Sequence, residues 1–219
     1  MNNKFLLILN IICITVGTIF FSLKSEFVNG FCGNVIFIDP GHGGNDNGTS
    51  FESVLEDEIN LKIAHILYEM IINEGGMCYL TRVSDYDLSD MYSKNHKLDD
   101  LRRRVNMIDS LNTSLFISLH LNSYSSSNVE GIQVFYQKHN ENSKILADIL
   151  QTNLNRKNKK HKTNKIGDYY LLNNTKAPGV LIEYGFLSNE KDRKKLMMDS
   201  YLKELAIIIK QSINEYLIN

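Results

Sequence analysis

The stretch Val35–Gly44, VIFIDPGHGG, decides the fold of this chain. Its first four residues are β-branched or aromatic, a composition typical of a buried strand. The strand ends abruptly in a Pro-Gly-His-Gly-Gly turn, where glycines allow backbone angles that other residues avoid. Such a turn can hold one side chain at the strand end, and that side chain is His42. Our hypothesis from this turn is that His42 is one ligand of a catalytic zinc ion.

The composition is that of one globular domain with a sizeable core. The chain has 219 residues, of which 43% are hydrophobic and 22% charged. A net charge of -1 gives no reason to expect nucleic-acid binding. Cys13, Cys32 and Cys78 lack the spacing of a cysteine metal site. Their positions favour unpaired thiols, with a Cys32–Cys78 disulfide as the alternative.

The N-terminus carries a nearly unbroken apolar run, 5–23, preceded by Lys4. As a helix this run would span about 28 Å, close to the thickness of a bilayer core. It predicts an uncleaved signal anchor, with a cleavable signal peptide ending near 28–30 as the alternative. A buried core helix is disfavoured because the run has no polar face. We expect residues 1–30 to be this membrane or signal segment and residues 31–219 to form a domain outside the cytoplasm.

Beyond the N-terminus, predicted strands alternate with predicted helices. Short β-branched or aromatic runs predict strands over about 35–38, 77–81, 115–119, 131–137, 169–172 and 180–184. Apolar residues at helical spacing predict helices over about 56–73, 99–110, 142–155, 190–198 and 201–217. This alternation indicates a single α/β domain with a mostly parallel or mixed sheet of about six strands and helices on both faces. The basic run 156–165 is expected to be a solvated loop, or else a contact with an anionic polymer.

Four residues lie where predicted elements begin or end. His42 and His120 follow strands, Glu183 is near the end of the last strand, and Glu56 begins the first helix. The carboxyl ends of parallel strands meet at one rim of a sheet, so these side chains can converge. Two imidazoles and a carboxylate suit zinc and leave a place for water, on which a second carboxylate could act.

Each of these residues also has a structural interpretation. His42 could be structural or merely exposed in its glycine-rich turn, and Glu56 could simply favour the helix N-terminus. His120 could be a core histidine, and Glu183 could be a buried ion-pair partner. The spacing of the residues leaves these alternatives open. The other histidines are expected on helix or loop surfaces: His65, His96, His139 and His161.

Six blocks in order resemble a known family. They are IDPGHGG at 38–44, EDEINL at 56–61 with Ile63-Ala64, Thr81-Arg82, Leu101 with Arg104, FISLHLN at 116–122 and VLIEYGFLSN at 180–189. From about residue 34 to its end the chain resembles zinc-dependent N-acetylmuramoyl-L-alanine amidases of the third amidase type. Its short single domain and N-terminal membrane segment most resemble the germination-specific subgroup of spore-forming bacteria.

The resemblance assigns roles to the four residues. It implies that His42, Glu56 and His120 bind one zinc ion and that Glu183 is the catalytic carboxylate. Glu58 is the alternative candidate for the carboxylate ligand. In the family, however, this ligand stands four residues before the Asn of an Asn-Leu pair, here Asn60-Leu61, and this spacing selects Glu56. The implied reaction is hydrolysis of the amide bond between the N-acetylmuramic acid lactyl group and L-alanine of peptidoglycan.

The resemblance also implies a setting for this reaction. In the germination-specific subgroup, the reaction prepares spore cortex for muramic-δ-lactam formation, and the enzyme would lie outside the cytoplasm, in the forespore intermembrane space. Vegetative wall turnover, a peptidase cutting within the stem peptide and a non-catalytic peptidoglycan-binding module are the alternatives. An activating protein partner or a dimer is a further expectation, because no wall-binding repeat accompanies the six blocks. Arg104 is expected to tie its helix to the sheet.

Overall fold

The computed structural model describes residues 29–219, in which strands and helices alternate. The strands are β1 (Val35–Pro40), β2 (Ser50–Phe51), β3 (Val54–Leu55), β4 (Met77–Leu80), β5 (Leu115–Asn122), β6 (Gln133–Tyr136), β7 (Lys165–Ile166) and β8 (Gly179–Phe186). The helices are α1 (Glu56–Asn73), α2 (His96–Asp109), α3 (Glu141–Leu154), α4 (Tyr170–Asn174), α5 (Glu190–Leu196) and α6 (Asp199–Ile218). A short 3-10 helix, Asn155–Lys157, follows α3.

The N-terminal apolar run lies outside the described residues. Within residues 29–219, no helix combines the length and apolar character needed to cross a membrane. The described chain begins beside the ends of two helices. The backbone N–H of Gly30 donates to Asn214 Oδ1 at 2.9 Å, and Asn29 donates to the carbonyl of Glu74 at 2.6 Å. These bonds fix the point at which residues 1–28 join the domain.

Six strands form one mixed sheet in the order β4-β1-β5-β8-β6-β7. The first four in this order are parallel, β6 is antiparallel to β8, and β7 is parallel to β6. The predicted α/β fold is therefore confirmed. From β1 the chain forms β4 on one side and β5 on the other, and such a reversal opens a crevice at the carboxyl ends of the strands.

Alternating side chains of the sheet pack against two helix layers. Ile36, Ile38 and Ile117 face the layer that contains α1, α3 and α6. Phe37 and Phe116 face the opposite layer, built from α2 and α4. Because side chains alternate with a period of two, Asp39, Ser118, His120 and Glu183 share the face of Phe37 and Phe116. The short second layer therefore covers the same face from which the polar residues project.

The predicted strand at 169–172 is wrong, because this segment begins the short helix α4. Leu171 and Leu172 are buried in the second layer against the sheet. The place beside β8 that a further strand would need is occupied by β6. The packing of these leucines against the sheet outweighs the β-propensity of the preceding aromatic residues.

Other element boundaries also differ from those predicted. The basic run is not a continuous loop, since it begins within the 3-10 helix and ends at the first residue of the edge strand β7. His120 lies within its strand and not after it, because β5 continues to Asn122. Glu183 lies within the last strand, as predicted, and β8 continues to Phe186. Strand pairing therefore positions both side chains, and the register shifts just beyond them, between His120 and Asn122.

Candidate metal centre

His42 is held in an unusual backbone conformation by two buried arginines. Its φ of 63° lies in the left-handed region, which costs most non-glycine residues on the order of 1 kcal/mol or more. Arg104 donates to the carbonyls of Pro40 at 2.8 Å and His42 at 2.6 Å. Arg82 donates to the carbonyls of Pro40 at 3.0 Å and Gly41 at 3.1 Å. Two guanidinium groups thus fix three successive carbonyls of the turn.

A buried ion pair supports this bracing. Arg104 donates to Asp39 Oδ1 at 2.8 Å, and Thr81 and Ser118 donate to the same carboxylate at 2.6 Å each. Burial favours the neutral acid, but Arg104 and the two hydroxyls outweigh it and hold the pKa of Asp39 below its usual value. Arg104 therefore ties α2 to the sheet, as predicted.

Glu56 lies between the two imidazoles. Its Oε1 is 3.3 Å from His42 Nε2 and 3.1 Å from His120 Nδ1. The backbone N–H of Leu121 donates to Oε1 at 2.9 Å, and that of Thr49 donates to Oε2 at 2.8 Å. The first turn of α1 has no side-chain cap, so the Glu56 carboxylate is directed at the histidines and does not cap its own helix.

Glycine at position 41 allows His120 to reach this cluster. A Cβ atom at Gly41 would lie 2.2 Å from His120 Cε1, well inside van der Waals contact. The His120 ring therefore lies directly over the backbone of the turn. A larger residue at position 41 would displace the imidazole.

The donor set fits a metal ion. One ligand atom from each of His42, Glu56 and His120 lies within 4.8 Å of the other two. Tetrahedral zinc with bonds of about 2.0–2.1 Å separates neighbouring ligand atoms by about 3.3–3.4 Å. The two observed O···N distances, 3.1 and 3.3 Å, are close to this value. These three residues could therefore hold a metal ion.

The carboxylates of Glu56 and Asp46 make the surroundings of the two imidazoles favourable for positive charge. Burial alone would lower the pKa of His42, but its contacts with Glu56 and Asp46 raise it to about 9. Burial opposes ionisation of Glu56, yet hydrogen bonds with His120 and His42 hold its pKa well below its usual value. The outer nitrogen of His42, Nδ1, lies 3.0 Å from Asp46 Oδ2. Metal-binding histidines commonly direct their second nitrogen at a carboxylate in this way.

Glu183 lies beside the cluster on the neighbouring strand. It is the register partner of His120, and its side chain projects from the same face of the sheet. The residue is 6% exposed and forms no ion pair with Lys or Arg within residues 29–219. Burial raises its pKa; the charge of Glu56 adds to this rise, and His120 opposes it. A carboxyl group whose ionised form is disfavoured by burial is suited to accept a proton.

The four residues line one cleft of about 340 Å³ between the sheet and the second helix layer. Helix α2 contributes Lys97 and Leu101 to its wall; Tyr169, just before α4, and Leu171, within α4, also line it. The other histidines lie elsewhere: His65 contacts the carbonyl of Val83, His96 contacts Ser89, and His139 and His161 are exposed. Among the described histidines, only His42 and His120 belong to the cluster.

Three supporting residues were not predicted from the sequence. Asp46 contacts His42, and Tyr169 donates to Glu183 Oε1 at 3.3 Å. Asn60 donates to Glu56 Oε1 and to the carbonyl of Gly41, each at 3.3 Å. The position of Asp46, four residues after His42 in the same glycine-rich segment, was a usable signal. No comparable signal marked Tyr169, which was assigned to a strand.

A second buried contact holds Asn60. The hydroxyl of Tyr184 donates to Asn60 Oδ1 at 2.5 Å, and both side chains are fully buried. Tyr184 directly follows Glu183 in β8, but projects from the opposite face. This contact links the strand of Glu183 to the helix that carries Glu56.

Comparison with known proteins gives a consistent assignment. The family described as N-acetylmuramoyl-L-alanine amidase matches residues 36–215. The germination-specific N-acetylmuramoyl-L-alanine amidase of Bacillus subtilis (strain 168) is 37% identical over 191 residues, which cover 84% of this chain and 80% of the relative.

Solved structures show the same relationship. The CwlD amidase from Clostridioides difficile, determined in complex with the GerS lipoprotein, is 36% identical with a TM-score of 0.81. The catalytic domain of CwlV from Bacillus (Paenibacillus) polymyxa var. colistinus is 28% identical with a TM-score of 0.75. Each match covers 84% of this chain and 98% of the other. The chain belongs to the N-acetylmuramoyl-L-alanine amidase family.

Proposed function

We propose that this enzyme hydrolyses the amide bond between the lactyl group of N-acetylmuramic acid and L-alanine of the stem peptide, using one zinc ion. His42, Glu56 and His120 would hold the ion, and Glu183 would act on water. The observation that carries the proposal is the cluster of two imidazoles and a carboxylate with a second, buried carboxylate beside it. Membership of the amidase family supports the choice of substrate.

The chemistry divides between the ion and the protein. When bound, zinc supplies a Lewis acid that polarises the scissile carbonyl and activates a water molecule. Glu183 accepts a proton from the attacking water and delivers it to the nitrogen of L-alanine as the C–N bond breaks. The products are a lactyl carboxylate and a peptide with a free L-alanine N-terminus. The raised pKa of Glu183 supports both proton transfers.

Mass analysis of peptidoglycan digested by the purified full-length protein tests this reaction. We expect released peptides to begin with L-alanine, whereas cuts within the stem peptide would identify a peptidase. We expect Glu183→Gln to keep its zinc and to lose at least about a hundredfold in turnover. Glu58→Gln, which removes an exposed carboxylate from the same helix turn as Glu56, is the matched control. Near-normal peptide release by Glu183→Gln would contradict the assigned role.

We propose that the reaction serves maturation of spore cortex. The similarity to the germination-specific relative of Bacillus subtilis supports this role. Cells that carry Glu183→Gln should then form cortex that lacks muramic δ-lactam, with unchanged vegetative wall. A change confined to vegetative muropeptides would indicate wall turnover as the role.

We also propose a location outside the cytoplasm and an activating protein partner. The N-terminal apolar run supports the location, and mass spectrometry of the mature N-terminus would distinguish an anchor from a cleaved signal. The relative solved with a lipoprotein supports a partner. Full zinc binding and full turnover by the purified protein alone would argue against a partner.

A further inference from the structure

Glu183 has an asymmetric environment. Its Oε1 accepts a hydrogen bond from the Tyr169 hydroxyl at 3.3 Å. Its Oε2 is buried and has no hydrogen-bond partner within residues 29–219. A buried carboxylate oxygen without a partner is costly, and native proteins usually supply a water or ligand there. Within residues 29–219, the Tyr169 hydroxyl is therefore the only hydrogen-bond partner that orients this carboxylate.

Tyr169 is itself firmly placed. Its ring packs edge-on against the ring of Phe135, with centroids 5.3 Å apart. The residue immediately precedes α4, whose Leu171 and Leu172 are buried against the sheet. Burial and the charge of Glu183 both raise the pKa of Tyr169, so its hydroxyl stays protonated and can donate. A rigid donor therefore meets Glu183 from a different element than the one that carries Glu183.

We propose that Tyr169 is a positioning residue for Glu183. Its hydroxyl holds Oε1 and thereby fixes the orientation of the carboxylate that exchanges protons with the water and the leaving amine. This inference rests on the proposed function, because it takes Glu183 as the group that transfers the proton. The hydroxyl forms no bond with substrate in this role. Its loss should therefore slow turnover without weakening substrate binding.

Steady-state kinetics of Tyr169→Phe on a defined muropeptide tests the proposal. This change removes the hydroxyl and keeps the ring that packs on Phe135. We expect kcat to fall about tenfold, with KM changed by less than about twofold. Zinc content and thermal unfolding should match those of the wild type. Tyr201→Phe, which removes a half-buried hydroxyl from α6, is the control and should keep full activity.

A crystal structure of Tyr169→Phe gives a readout that does not depend on activity. We expect the Glu183 carboxylate to leave its wild-type position or to adopt two conformers. An unmoved carboxylate with unchanged kcat would overturn the proposal. A raised KM with unchanged kcat would also overturn it, because Tyr169 would then be a substrate contact.

The Glu183→Gln variant distinguishes a wrong role for Tyr169 from a wrong role for Glu183. If Glu183→Gln is inactive and Tyr169→Phe is fully active, only the role of Tyr169 is wrong. If Glu183→Gln is itself active, the proposed role of the carboxylate fails, and the role of Tyr169 fails with it.

Discussion

His120 and Glu183 are register partners on the adjacent parallel strands β5 and β8. Paired strands lie about 4.8 Å apart, and side chains at paired positions project from the same face. The sheet itself therefore sets the separation between an imidazole of the candidate metal cluster and the neighbouring carboxylate. A site built on paired strands keeps its geometry better than one built on loops.

Replacement of His120 should abolish metal binding. His120→Ala removes one of three donors, and we expect elemental analysis to find less than about a tenth of the wild-type zinc. His161→Ala, which removes an exposed histidine, is the control. Full zinc occupancy in His120→Ala would remove His120 from the ligand set.

Gly41→Ala should impair the site through a steric clash. The added Cβ would lie 2.2 Å from His120 Cε1, so the imidazole must move. We expect zinc affinity to fall by about tenfold to a hundredfold, measured by competition with a chelating dye. Gly75→Ala is the control: Gly75 has a φ of 82° but nothing within 4 Å of the added atom. It should lower stability and leave zinc affinity unchanged.

Arg104→Ala should be strongly destabilising. It leaves the Asp39 carboxylate buried without its cationic partner, at a cost of about 3–5 kcal/mol in the free energy of unfolding. Its neighbour Arg103 is 47% exposed, so Arg103→Ala should cost less than about 1 kcal/mol. Urea denaturation of both variants checks this difference. Equal losses would show that the buried pair contributes little to stability.

The same pair predicts loss of stability in acid. The pKa of Asp39 is lowered on folding, so its contribution is present above the unfolded value, near 3.8. The contribution disappears as pH falls from there through the folded pKa. Asp39→Asn should therefore show a weaker dependence of unfolding free energy on pH below about pH 4 than the wild type. Parallel pH dependences in this range would contradict the pKa shift.

The two described cysteines should differ in reactivity. Cys32 and Cys78 are both free, as the sequence favoured, but Cys32 is exposed and Cys78 buried. Burial raises the pKa of Cys78 to about 12, so little thiolate is present at pH 8. Mass mapping after alkylation should show Cys78 reacting more slowly than Cys32 by roughly a hundredfold or more, until denaturant is added. Similar rates in the folded protein would contradict this burial.

Strand ends and glycine turns made much of the fold and cluster predictable from sequence. A buried run before a glycine-rich turn identified β1, and the ends of parallel strands indicated where His42, His120 and Glu183 would meet. The six blocks identified the family correctly. Helix α1 was predicted with its observed bounds, because its apolar positions recur at helical spacing and glycines follow it.

The missed features depend on contacts between segments distant in the chain. Arg82 was predicted to lie in a polar connection, yet it is fully buried. Its guanidinium donates to the carbonyls of Pro40 and Gly41 in the turn, to that of Asp57 in α1 and to that of Ser84 nearby. The aromatic residues at 169–170 have high β-propensity, but β6 occupies the place beside β8 and the two leucines that follow pack against the sheet as part of a helix. The sequence pattern of one segment does not reveal that another segment will occupy the position beside β8.

The direction of β1 fixes where the N-terminal segment is attached. The six residues of this strand, at about 3.3 Å each, place its start about 20 Å from its end. Residues 1–28 therefore join the domain behind the cleft, beside the final turns of α1 and α6. If residues 1–28 form the anchor that the sequence predicts, a long glycan strand could cross the rim of the cleft without passing around the enzyme's own attachment point.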